Sequence, residues 1–148
     1  MIMSSKGKYI MNFNDDGKDT AIPDLVGARR RIIDKETVGS EALTYGLATF
    51  AGKTSFHKKH AHNDCEEIMY IVSGRGIGGV GDGPDVVFEP GDTIYAPKGV
   101  VHWMYNPFDE PCEMIWIYTK PSLAEAGYAL ESEGFKEIGT MVDENDLK

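Results

Sequence analysis

A chain of 148 residues, 41% hydrophobic and 26% charged, has the length for one buried core and not for two. Its formal charge of −9, from 15 basic and 24 acidic residues, excludes a general nucleic-acid role, since phosphate binding needs a cationic surface. No apolar run reaches the length of a membrane span, and residues 1–9 lack the apolar centre of a signal peptide, so the expectation is a cytoplasmic protein with no membrane partner. Cys65 and Cys112 form no CxxC pair and read as two free thiols.

In chain order, residues 1–24 read as a polar N-terminal arm with Asn14-Asp15-Asp16-Gly17 as a turn or mobile stretch, free to reach a partner subunit. Residues 25–120 read as a β-barrel and 121–148 as a C-terminal helix and tail. Arg29-Arg30-Arg31 leads into Ile32-Ile33 as the solvated start of a strand, and residues 42–51 form a longer one in which Gly46 marks a bend or bulge. Strands follow over 56–62 and 67–72. The stretch 74–91 is dense in turn glycines, with Asp82-Gly83 as a hairpin signal before a short strand over 86–88. Residues 93–96 and 101–105 are strands separated by Pro97-Lys98-Gly99. Residues 113–118 are apolar on both faces, which predicts a central strand. Ser122 with Glu125 is a capping box that predicts a helix over 123–130, stopped at Gly134. Gly74-Arg75-Gly76-Ile77-Gly78-Gly79 matches GxGxxG formally, but no helix follows to meet a pyrophosphate, and turn glycines are the better reading.

The chemistry concentrates in His60-Ala61-His62-Asn63-Asp64-Cys65-Glu66-Glu67 and in His102. Residues two apart on an extended strand share a face, so His60 and His62 present both imidazoles to one side. Glu67 opens one strand and His102 another, so three strands can aim four ligands at one divalent ion. Four protein ligands leave one or two positions open on an ion that prefers five or six. By the same alternation Lys58 falls with His60 and His62, Met69 with Glu67, and Met104 with His102, while Met114, Trp116 and Tyr118 or Ile115 and Ile117 supply a wall according to register. Lys58, Met69, Met104, Trp116 and Tyr118 are therefore the candidate substrate contacts, and Lys58, Tyr95 and Tyr118 the nearby groups able to move a proton.

His60, His62, Glu67 and Gly74 fall as H-x-H-x4-E-x6-G, and Gly91, Pro97, Gly99, His102 and Asn106 as G-x5-P-x-G-x2-H-x3-N. Together these resemble the two sequence motifs of the cupin family, over about a third of the chain. The family's glycine six positions before the first histidine falls here on Thr54, with Gly52 the nearest glycine. The resemblance implies an all-β, double-stranded β-helix or jelly-roll cupin barrel, here with a short C-terminal helix, commonly a homodimer through edge strands. It also implies His60, His62, Glu67 and His102 as metal ligands, with Asn106 as a backbone tie. One divalent transition metal per chain is expected, Fe, Mn, Zn or Ni.

The expected function is a metal-dependent enzyme, a dioxygenase first, acting on a small organic molecule that chelates the ion. A lyase, cyclase or isomerase is the second expectation and a non-catalytic small-molecule-binding cupin the third. With Glu67 committed as ligand, the shortage of acids and bases favours O₂ chemistry or binding over proton transfer. The apolar Met69, Met104 and Trp116 favour an aromatic, polyketide-like or aliphatic acid over a bare sugar.

Overall fold

The two strands with the strictest alternation, 44–50 and 112–118, lie side by side and carry the core. The structure, a computed structural model, describes residues 6–19, 29–53 and 56–126. Its elements are α1 (Phe13–Asp16), β1 (Lys18–Asp19), β2 (Arg29–Ile33), β3 (Thr44–Phe50), β4 (Phe56–His60) and β5 (Glu67–Ser73). They continue as β6 (Gly76–Val80), β7 (Val86–Phe88), β8 (Thr93–Ala96), β9 (His102–Tyr105) and β10 (Cys112–Tyr118). Among the described residues these form a six-stranded sheet, β1-β2-β3-β10-β5-β8, and a four-stranded sheet, β4-β9-β6-β7, in which every neighbouring pair of strands is antiparallel. The all-β double-sheet fold is as expected, and β10 is central, between β3 and β5.

The sheets bury their facing sides. Phe50, Met69, Ile71, Ile94, Met114 and Trp116 from the large sheet meet Phe88 and Met104 from the small one in a single cluster. Each such side chain contributes roughly 1.5–3 kcal/mol on leaving water. Gly46 sits in this packing for want of a side chain: a Cβ there would lie 2.1 Å from the Trp116 ring and 2.4 Å from the Arg30 carbonyl oxygen. The bulge expected at Gly46 falls on the partner strand, between Arg31 and Ile33 of β2. Cys65 and Cys112 are both buried free thiols, and burial pushes Cys112 up to about 11.

Three elements differ from expectation. Asn14–Asp16 belongs to a helical turn, because the Asn12 side chain accepts from Asn14 N at 2.8 Å and Arg30 Nη1 donates to Phe13 O at 2.8 Å. Gly76–Val80 is a paired strand, not a series of turns; its glycines make room for Met104, Phe88 and Trp103. The Ser122–Glu125 capping box is formed, with Glu125 N donating to Ser122 Oγ at 3.1 Å, but residues 123–126 make a turn and the rest of the expected helix lies outside the described residues. No helix among the described residues is long and apolar enough to cross a membrane.

Asn106, buried just after β9, ties three segments of backbone. Its Nδ2 donates to Phe50 O at 3.0 Å and Glu110 O at 2.8 Å, and its Oδ1 accepts from Phe108 N at 3.0 Å. Asn106→Ala leaves those groups without these partners and is expected to cost about 2–4 kcal/mol in guanidinium unfolding. Gly46→Ala forces a methyl into the Trp116 ring and is expected to cost about 1–3 kcal/mol by the same measurement, with the denaturant slope unchanged.

Candidate metal centre

Two turns at one end of the barrel bring the histidines and the glutamate together. β4 delivers His60 directly opposite His102 of β9. The chain then runs through His62 and a loop to Glu67, which begins β5 between Tyr118 and Ala96. That loop is fastened at both ends. Glu66 N donates to Thr119 Oγ at 2.9 Å while Thr119 N donates to Glu66 O at 3.1 Å. The β8–β9 turn supplies the other fastening, since Gly99 N donates to His62 O at 2.9 Å and Val100 N to Pro97 O at 3.2 Å. Gly99 has φ +73°, a left-handed conformation that favours glycine, which explains the glycine three residues before His102.

The ligand-type atoms of His60, His62, Glu67 and His102 lie within 4.8 Å of one another, and all four residues are buried. Glu67 Oε1 is 2.9 Å from His102 Nε2 and 3.5 Å from His62 Nε2. His102 Nδ1 is 3.2 Å from Val100 O, so the tautomer that donates to this carbonyl leaves Nε2 as a bare lone pair. A lone pair then faces a carboxylate oxygen at 2.9 Å, and neither atom has a partner meeting hydrogen-bond geometry. Two acceptors so close and so dry repel unless a cation lies between them or a proton is taken up. Burial by itself would raise the Glu67 pKa; with protons on the facing ring nitrogens in place of a cation, His102 and then His62 outweigh it and hold the carboxyl well below the usual carboxylate range. The donor set, three imidazole nitrogens and one carboxylate oxygen, fits a transition-metal ion with bonds of about 2.0–2.2 Å, and the cluster could hold one.

Beside the cluster lies a narrow cavity walled by Phe50, Met69, Phe88, Ile94, Met104 and Met114, with Glu67 and His102 at its polar end. Met69 and Met104, two of the candidate contacts, thus line this cavity. Trp116 and Tyr118 are fully buried but are not among the wall residues: Trp116 covers Gly46, and the Tyr118 ring stands edge-on to His62 at 5.0 Å. The Lys58 side chain lies outside the described residues. The register of β4 shifts between His57 and His60, and it is His57 that pairs with Met104. Tyr95 is half exposed on the outside of the large sheet, its hydroxyl hydrogen-bonded to the Glu66 carboxylate, and so is remote from the cavity. Phe50, Phe88 and Ile94 were not among the candidate contacts, and Met114 stood only as one of two register-dependent walls; strict alternation along 44–50 and 112–118 is the signal that puts Phe50 and Met114 inside.

Residues 46–118 match the family model described as the cupin domain. An acireductone dioxygenase from Bacillus cereus is 33% identical over 97 residues, which cover 63% of this chain and 55% of the relative. Another, from Bacillus velezensis, is 32% identical over 104 residues, 68% of this chain and 56% of the relative. The chain spans about half the length of these curated relatives. Among solved structures, a predicted oxalate decarboxylase from Thermotoga maritima has a TM-score of 0.63 at 19% identity, covering 75% of this chain and 98% of that one, a likeness of fold alone. With the double-sheet barrel, the four convergent ligand-type side chains and the family match over the same strands, this chain belongs to the cupin family.

Proposed function

We propose that His60, His62, Glu67 and His102 hold one divalent transition metal per chain, and that the protein is a metal-dependent dioxygenase of a small molecule that chelates the ion through neighbouring oxygens. The observation that carries this reading is the convergence of four buried ligand-type side chains, with His102 Nε2 2.9 Å from Glu67 Oε1, beside an apolar cavity. Iron(II), bound there with positions left open, would supply the Lewis acidity and redox capacity that dioxygenation needs. The Glu67 carboxylate offsets part of the ion's charge, and Val100 O holds the His102 ring in the ligating tautomer. Met69, Phe50, Met104 and Met114 exclude water from the reacting end and take up the apolar part of the substrate.

The likeness to acireductone dioxygenases supports a substrate of that chemical class, a ketone conjugated to an enediol, whose adjacent oxygens match a chelating pose. Oxalate, in the name of one fold neighbour, suits the cavity less well. Among the described residues no cationic side chain stands in its lining to pair with a second carboxylate. Among the described residues the same lining holds no titratable side chain besides Glu67 and His102, since the Trp103 indole N–H is turned to Asp85, and this favours O₂ chemistry over lyase or isomerase chemistry.

Purified without chelator or air, the protein is expected to carry close to one transition-metal ion per chain by plasma mass spectrometry. Metal at about a hundred times its Kd is expected to add about 2.7 kcal/mol to the stability of the metal-free protein. A His102→Ala/Glu67→Ala double variant is expected to lose both the ion and that gain; retention of either sinks the ligand assignment. With iron(II) restored, an enediol ketone is expected to draw O₂ in an electrode chamber while oxalate does not. Metal bound with no O₂ drawn by any chelating substrate would turn the reading to a non-catalytic binding module.

A further inference from the structure

Glu67 and the residue before it face opposite ways. Glu67 points into the barrel, where its carboxylate meets the His102 and His62 ring nitrogens. Among the described residues no hydrogen-bond donor outside those histidines orients that carboxylate, whereas the His102 ring is set by Val100 O. Where the carboxylate falls is therefore decided by the backbone that carries it. That backbone stands at a weak place. Glu67 is the last rung of both its ladders, with Tyr118 of β10 on one side and Ala96 of β8 on the other, and terminal rungs open most readily.

Glu66 closes both ladders one step beyond that rung. Its N–H donates to Thr119 Oγ1 at 2.9 Å and its carbonyl accepts from Thr119 N at 3.1 Å, and Thr119 is the residue after Tyr118. On the outer face of the sheet its carboxylate accepts from the hydroxyl of Tyr95, the residue before Ala96. Thr119 is itself anchored, because Thr44 Oγ1 donates to Lys120 O at 2.7 Å and Lys35 N donates to Pro121 O at 2.9 Å. We propose that Glu66, Thr119 and Tyr95 are positioning residues, which clamp the chain beside Glu67 so that its carboxylate stays at the ligand cluster and thereby set the affinity for an ion that they do not touch. The inference rests on the metal reading above. Bonds of about 2.0–2.2 Å tolerate little displacement of a ligand atom. Without the clamp the ion must order the start of β5 as it binds, and that entropy is subtracted from its affinity. Two consecutive glutamates thus divide the task, one offering the ligand atom and the other holding it in place.

Titration of the metal-free full chain with zinc(II) in a calorimeter tests the clamp. Thr119→Val keeps the shape of the side chain and removes the acceptor of the Glu66 N–H; it is expected to raise the zinc Kd about ten- to a hundredfold with the far-ultraviolet circular dichroism unchanged. Tyr95→Phe removes one hydroxyl from an exposed side chain and is expected to raise the Kd about three- to tenfold. Thr119→Ser restores the acceptor and is expected to return the Kd to within about twofold of the parent's. With cobalt(II) in place of zinc, the visible ligand-field bands of Thr119→Val are expected to move towards those of Glu67→Ala, and those of Thr119→Ser to match the parent. Asn106→Ala loosens the other end of the barrel and is expected to change neither the Kd nor the bands, which separates the placing of Glu67 from general stability. A parent that binds no zinc overturns the metal reading and the clamp with it. Zinc bound by the parent and held within about twofold as tightly by Thr119→Val, or by Tyr95→Phe should Thr119→Val not fold, overturns the clamp alone. So does an Asn106→Ala variant that loses as much affinity as Thr119→Val.

Discussion

Glu67 Oε1 and His102 Nε2, 2.9 Å apart within an apolar barrel, impose the constraint that the surrounding structure meets. A carboxylate and an imidazole lone pair do not stay together in a dry site by mutual attraction; something must hold them. Here the holding is done by backbone. β5 places Glu67 between Tyr118 and Ala96, β9 places His102 opposite His60, and the turn before β9 is pinned to the His62 carbonyl through Gly99 N. Strands in register cannot slide by one residue without turning every core side chain outward, so the hydrophobic pattern of the barrel is also what fixes the position of the polar cluster.

Much of this was legible in the residues. Spacing of two between His60 and His62, the strand starts at Glu67 and His102, and the Pro97–Gly99 turn each have a local physical meaning, and the structure brings the four side chains together. What escaped was decided by packing between segments distant in the chain. Gly76, Gly78 and Gly79 read as turn residues because glycine is the commonest turn residue, yet they stand in β6, where side chains on other strands fill their space. Lys58 was placed by unbroken alternation; β4 shifts register between His57 and His60, visible only against β9, and the Lys58 side chain itself lies outside the described residues. Tyr95 read as a nearby group able to move a proton because an aromatic on a short strand is ambiguous about its face; the pairing with Ile68 settles it outside.

The same pairing explains why the barrel is lopsided. β9 is buried on both faces, His102 and Met104 inward and Trp103 and Tyr105 under Asp85 and Lys59 outward, so the small sheet is finished within one chain. β5 and β8 instead alternate between a buried inner face and an outer face of exposed apolar side chains. Glu67 and Ile68 are consecutive residues of β5, one at the polar cluster and the other on the open face, so the strand that serves the site also serves the surface.

Preorganisation links these features to affinity. Four desolvated ligand groups lower the stability of the empty barrel, and the core around Trp116, Phe50 and Ile71 must offset that before any ion arrives. Because the offset is made by the fold, an ion entering the cluster does not have to order the loop from His62 to Glu67, which Thr119 and Gly99 already hold. Nor does it have to select the His102 tautomer, which Val100 O favours. Relief of the repulsion that the ligating tautomer sets up between Glu67 and His102 would then appear as binding energy, so a contact that burdens the empty protein is one that would tighten a loaded form.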